Sequence, residues 1–266
     1  MTFHKLRLGY AGLVVVLALL LTPGNAGADQ SGLSKLYLNY LPHRLTETSG
    51  KQYDLLLDVL LSGNLSQIPR GAAPLNRARA LFLGDAGSCL FPTNIMGLDA
   101  GDLGVSLIAS QTVDIVSLRI YSTGNSKSFT SLLDFDPARV GYIEGSGTIH
   151  GLPDADEYVP IPSEEQLIDM LGLGRLDAFL GHHPDTALAL DELGKPDVLR
   201  VSPITLKNIR LPISFVCHDT EPGRAFIREI DEKISQLQKN GRLRDILGPH
   251  ADLPTAADHG VSANAE

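Results

Sequence analysis

Hydrophobic positions in this chain come in short runs separated by glycine, proline and small polar residues, and their spacing switches between helical and strand periods. Glu164–Leu173 shows the helical period: Leu167, Ile168 and Leu171 share one face, Ser163 suits the N-cap with Gln166 completing a capping box, and Gly174 suits a left-handed end. Leu176–Leu180 follows as a continuous apolar run, which predicts a short buried strand. Gly181 then predicts a turn into His182-His183-Pro184-Asp185. This is half of an α/β unit, and α/β sheets bind ligands beyond the carboxyl ends of their strands.

The same reading orders the rest of the chain. It predicts a strand at Leu36–Leu41, a helix at Gln52–Leu61, a short strand at Leu65–Ile68, a helix from Pro74 to Leu83 and a strand at Ser88–Phe91. Strands alternating with helices indicate a mostly parallel sheet. After the glycine- and aspartate-rich loop Pro92–Gly104 come strands at Val105–Ala109 and Ile115–Tyr121. The order then restarts with a helical turn at Ser131–Leu133 and strands at Arg139–Ile143 and Tyr158–Ile161. Further strands are predicted at Val198–Val201 and Ile213–Cys217. The longest helix, Glu221–Asn240, lines up Phe226, Ile230, Ile234 and Leu237, and a short one follows at Arg242–Leu247. Two α/β lobes account for this order: residues 29–122 with 204–250 form the first and 123–203 the second. One continuous doubly wound domain is the alternative. The small, polar stretch 251–266 is expected to be a disordered tail.

Lys5 and Arg7 ahead of the apolar run Leu13–Leu21, with Ala26-Gly27-Ala28 behind it, predict a signal peptide over residues 1–28. Export to the periplasm is therefore expected, without stable membrane insertion after cleavage. The net charge of -9 becomes more negative once Lys5 and Arg7 are removed, which argues against a nucleic-acid partner. In that compartment the two cysteines, Cys89 and Cys217, can form a disulfide or remain as two buried thiols.

Candidate chemistry is sparse. Ser146-Gly147-Thr148, after a predicted strand, offers hydroxyls and backbone N–H groups to a ligand, or forms an ordinary turn with Thr148 as a cap. Tyr40 and Phe91, at strand ends, suit stacking on a ligand or half-buried sheet positions. His182, His183 and Asp185 invite a metal, with His150 or His218 as further ligands, but adjacent histidines point different ways and no local run supplies three ligands. No metal or cofactor is expected. Cys89 lacks a neighbour that would make it a thiolate, and Gly145-Ser146-Gly147 is not a nucleophile elbow. Asp154 and Asp156 sit in a turn. No catalytic residues are assigned, and the chain is not expected to be an enzyme.

Several stretches resemble one family. Tyr37–Pro42 and Gly50–Asp54 are similar to its first strand and helix start, and Asn76–Ala80 with Gly84–Phe91 to its arginine-containing helix, glycine turn and strand. Arg139–Gly147 resembles the strand and turn that open the second lobe. Gly174-Arg175-Leu176-Asp177-Ala178 is the most specific match, and Ile230–Ile246 resembles the closing helix pair. The family is the periplasmic solute-binding proteins of ABC transporters, typified by the polar amino-acid binders. The resemblance implies an α/β, two-lobed type II fold with two strand crossovers forming the hinge, closure on a small polar solute, and delivery to a membrane permease. It also locates two departures. The loop Thr93–Ala100 lacks the arginine that grips a ligand carboxylate, and His182 stands where an aspartate receives the ligand amino group. A desolvated zwitterion needs both ends compensated. Weak or absent binding of standard amino acids is therefore expected, with another small polar solute held at Tyr40, Phe91, Ser146, Gly147, Thr148 and His182. A sensing or scaffold protein on the same fold is the alternative, and an enzyme a more distant one.

Overall fold

The computed structural model describes residues 32–46, 50–98, 104–123, 131–146, 149, 152–201 and 210–255. The expected signal peptide, Gly147, Thr148 and His150 lie outside the described residues.

Strands β1 (Lys35–Asn39), β2 (Arg70–Ala73) and β3 (Ser88–Thr93) pair in parallel in the order β2-β1-β3. Helices α1 (Gln52–Leu60) and α2 (Leu75–Leu83) connect them. α1 buries Tyr53, Leu56, Leu57 and Leu60, the i, i+3, i+4, i+7 stripe of an amphipathic helix. The expected strand at Leu65–Ile68 is instead a 3₁₀ turn, Gly63–Gln67, and the strand begins at Arg70. Leu65 and Ile68 are both buried and three residues apart, which suits such a turn rather than strand alternation.

The chain then runs through β4 (Leu107–Ala109) into β5 (Asp114–Thr123). Next come β6 (Val140–Ile143), β7 (Val159–Ile161), α3 (Glu164–Gly172), β8 (Ala178–His183), α4 (Asp185–Glu192) and β9 (Leu199–Val201). The Ser163 hydroxyl caps α3 by accepting from the Gln166 N–H, and Gly174 takes φ +67° just beyond the helix end. β7, β6 and β8 are parallel, and β8 pairs antiparallel with β5. Strand β8 continues through His182 and His183, opposite Leu118 and Ser117, so the turn expected at Gly181 comes later. Helix α4 was not foreseen, although its buried Thr186, Ala189 and Leu190 follow helical spacing.

The chain returns through β10 (Arg210–His218), α5 (Glu221–Lys239) and α6 (Arg242–Leu247). β10 gives Arg210–Ile213 to β5, Ser214–Cys217 to β3, and Val216–His218 to β4. β5 pairs with β10 over Asp114–Ser117, with β8 over Ser117–Tyr121, and with β9 over Tyr121–Thr123. The hydrogen-bonded strand path is thus unbroken, but the apolar cores are not shared. Val113, Val116, Ile213 and Phe215 pack with β1, α1, α5 and α6. Leu118, Ile120 and Tyr121 pack with the β6–β8 side. β5 therefore changes core between Val116 and Leu118, and β5 and β10 are the two crossing strands of a two-lobed α/β molecule.

Cys89 and Cys217, directly opposite on β3 and β10, are joined in a disulfide inside the first core. Residues 251–255 are not a free tail. Ala251 is buried in that core and Asp252 forms a bridge with Ile115, because the chain after α6 turns back along the crossing strands. Among the described residues no helix is long and apolar enough to cross a membrane.

Candidate functional site

The lobes meet where the turn after β1 and the start of α1 face the exit of β8 and the starts of α3 and α4. Arg44 stands at this junction. Its turn is tight: Leu41 and Leu45 bridge each other, and the Tyr53 N–H donates to the Arg44 carbonyl, fixing the turn against α1. Only 3% of Arg44 is exposed.

The guanidinium is held on two sides. Nη1 donates to Asp114 Oδ2 at 2.7 Å and to the Tyr53 hydroxyl, which itself donates to Asp114 at 3.0 Å. The guanidinium carbon lies 4.4 Å from the centre of the Tyr53 ring, so stacking adds to the hydrogen bonds. Nε and Nη2 donate to the two oxygens of Asp185 at 3.0 and 3.1 Å, a bidentate fork across the lobe boundary. Asp185 is the first residue of α4, where the exposed N–H groups of the helix also favour an anion.

A second set of charges rims the junction. His43, in the same turn, approaches Glu192 of α4 at 3.1 Å and Glu165 of α3 at 3.6 Å, and Lys51 pairs with Glu192. A cavity of about 260 Å³ opens beside them, lined by His43, Lys51, Gln52, Leu188 and Glu192 among others. His250 reaches Asp191, which also lines this cavity, at 2.7 Å, and Arg119 reaches Asp252 at 2.9 Å, which ties the C-terminal segment to α4 and β5.

Burial works against the Arg44 charge, but Asp185, and then Tyr53 and Asp114, outweigh it and raise its pKa. Burial also drives the Asp114 carboxyl up to about 6, against the downward pull of Arg44, Tyr53 and the Ile115 N–H. Glu164, the first residue of α3, is pushed up to about 8 by burial and by the neighbouring Asp185 and Glu165. His182 is held below its usual value, first by burial and also by Arg44, against the pull of Asp185, so it is neutral at pH 7. The junction therefore places the deeply buried Arg44 cation among several acids.

Of the residues expected to bind a ligand, two come together: Ser146 Oγ lies 3.4 Å from His182 Nε2. Both belong to the second lobe, and His182 feels the charges of Asp185 and Arg44. Phe91 is fully buried, 4.1 Å from Phe215 and 5.2 Å from Tyr53 between ring centres, so it supports the Tyr53 platform from within the core. Tyr40 is 41% exposed at the exit of β1, with its N–H donating to Ala73. The arginine-containing helix noted above is α2, and its Arg77 is exposed. Arg44, a buried cation that does lie at the junction, was missed, as were Asp114, Tyr53 and Asp185 as its partners. One signal was available: His43 and Arg44 follow directly after the first strand, where α/β proteins place ligand contacts. Among the described residues no group of three or more His, Cys, Asp or Glu is arranged to hold a metal ion.

Gly181 is what lets β8 deliver His182 and Asp185 so close to the crossing strand. A Cβ there would fall 2.3 Å from the Thr186 hydroxyl and 2.9 Å from the Tyr121 ring. Only glycine permits this approach of α4 and β5 without displacement.

No protein-family model matches the sequence, and no curated protein matches it. Solved structures do match in fold. The GluR0 ligand-binding core from Nostoc punctiforme, in complex with L-glutamate, has a TM-score of 0.62 at 13% identity, over 79% of this chain and 95% of that one. An amino acid ABC transporter substrate-binding protein, AbpA from Streptococcus pneumoniae, bound to L-arginine, has a TM-score of 0.60 at 13% identity, over 83% and 95% of the two chains. A histidine kinase sensor domain with similarity to periplasmic binding proteins has a TM-score of 0.63 at 13% identity, over 85% of this chain and 100% of that one. Together with the split cores and the two crossing strands, these likenesses establish the α/β, two-lobed type II periplasmic-binding-protein fold, with β5 and β10 as its crossovers.

Proposed function

We propose that this chain is an exported solute-binding protein that captures a small polar solute between its lobes and presents it to the membrane permease of an ABC transporter. In this reading residues 1–28 are removed on export to the periplasm, 29–122 with 204–250 form the first lobe, and 123–203 form the second. The observation that carries it is the buried Arg44–Asp114–Tyr53–Asp185 cluster at the lobe junction. Buried ion pairs are poor stabilisers, since apolar replacements of similar volume are often neutral or better. Charge concentrated in a cleft, with carboxyl pKa values displaced by burial, is the pattern of a recognition site. The solute would meet Arg44, Ser146 and His182, with Tyr40 at the margin and Phe91 supporting Tyr53; Gly147 and Thr148 stay contacts expected from the sequence alone.

The same geometry favours binding over catalysis. Ser146 and His182 are near each other, and Asp185, whose charge acts on His182, has both of its oxygens engaged by Arg44 rather than serving a nucleophile–base pair. A sensory role is the second reading, favoured by the likeness to a histidine kinase sensor domain. A thermal-shift screen of the mature chain against amino acids, organic acids, amines and sugars, followed by calorimetry, tests solute capture. Loss of uptake of the same solute when the gene is deleted in its host would separate transport from sensing. If no solute binds saturably, the proposal fails.

A further inference from the structure

Every group that positions the Arg44 guanidinium from within belongs to the first lobe or to the start of a crossing strand: the Leu41–Leu45 turn, Tyr53 of α1 and Asp114 of β5. These contacts do not depend on the second lobe. They hold Nη1 and leave Nε and Nη2 as a free-standing fork that points across the junction. The group now on that fork is a carboxylate of the second lobe, Asp185, with both oxygens engaged. When the lobes part, Asp185 leaves with α4 and the fork stays behind, already oriented. A planar fork with two parallel donors matches one chemical class best, a carboxylate or a similar planar oxyanion. The second lobe also brings His182 within electrostatic reach of Arg44 and Asp185, with the Ser146 hydroxyl 3.4 Å from its Nε2.

We propose that the Nε/Nη2 edge of Arg44 is the anion subsite for the solute, and that Asp185 is its built-in occupant. Asp185 competes with the solute carboxylate for the same two donors, which limits the solutes accepted to small carboxylates able to displace it and sets their affinity. This rests on the solute-binding reading above. It assigns the anion contact to a residue outside the loop Thr93–Ala100, and it makes Asp185 a determinant of specificity without requiring it to touch the solute. The apparent affinity of a site is reduced by the fraction of time it is unavailable, so removing the occupant raises the affinity.

The test is calorimetry on the full mature chain as wild type, Asp185→Ala and Arg44→Lys, each checked for folding by circular dichroism. The probes are acetate, propionate, lactate and succinate, with propionamide, ethylamine and a sugar as controls. One or more carboxylates should bind the wild type saturably, Asp185→Ala should bind them about ten-fold or more tightly, and the amide should not bind. Arg44→Lys keeps the charge but loses the fork, and should weaken binding about ten-fold or more. If Arg44→Lys does not fold, Asp185→Ala still decides the matter. Carboxylates that stabilise Asp185→Ala but never bind the wild type would mean a merely structural ion pair, and would overturn the proposal. An amine or sugar that binds wild type and Asp185→Ala equally would overturn it too, while leaving solute capture intact. No saturable ligand of any class for either protein would sink both.

Discussion

Replacing Arg44 with methionine should destabilise the protein far more than removing the whole charge cluster. Arg44 and Asp114 are 3% and 1% exposed, so water cannot replace the lost partner. After Arg44→Met, Asp114 keeps only the Tyr53 hydroxyl at 3.0 Å and the Ile115 N–H at 2.8 Å, and Asp185 loses both donors of its fork. Breaking a buried pair by removing one partner costs about 3–5 kcal/mol, because an uncompensated charge remains. At the sensitivity of a chain of this size that is a fall of roughly 6–20 °C in melting temperature. The triple variant Arg44→Met/Asp114→Asn/Asp185→Leu removes the stranded charges as well, and should recover at least half of that loss. The chain has no tryptophan, so the assay is urea unfolding followed by far-UV circular dichroism, with the disulfide intact. An Arg44→Met variant within about 1 kcal/mol of wild type would refute the reasoning, as would a triple variant less stable than the single one.

Three further outcomes are expected. Glu164, with a folded pKa of about 8 against an ordinary carboxylate value in the unfolded chain, retains a proton on folding that the unfolded chain releases, so its contribution is greatest at acid pH and is lost as pH rises through 8. Because the residue is partly exposed, Glu164→Gln should gain about 2 kcal/mol at pH 9 and little at pH 5, and equal effects at both would contradict the assignment. Reducing the Cys89–Cys217 bond, which closes a loop of 128 residues, should lower stability by up to about 5 kcal/mol in the chain-entropy account, and a Cys89→Ala/Cys217→Ala melting temperature equal to wild type would exclude a structural role. Gly181→Ala should cost about 1–3 kcal/mol through its clash with Thr186, and adding Thr186→Ala should recover part of it; urea midpoints of the two variants decide this.

Much of the fold was legible along the chain because it depends on local spacing. The amphipathic stripes of α1, α3 and α5, the Ser163 cap, the glycine after α3 and the apolar runs of β3 and β8 each report a period or a terminus that neighbouring residues specify. The restart of strand–helix order after Tyr121 was enough to suggest two lobes. The errors have equally local causes. Leu65 and Ile68 are apolar in a short run, where strand and 3₁₀ turn look alike, and the run before His182 continues as strand because β5 pairs with it. The site was far less legible. Arg44, Tyr53, Asp114 and Asp185 span 141 residues between Arg44 and Asp185, and none carries a motif, so only the crossing of β5 and β10 brings them together. Charged residues look alike in sequence whether solvated or buried. What separates Arg44 from Arg77 is that α4 closes over Arg44, and that is decided by the packing of one lobe against the other.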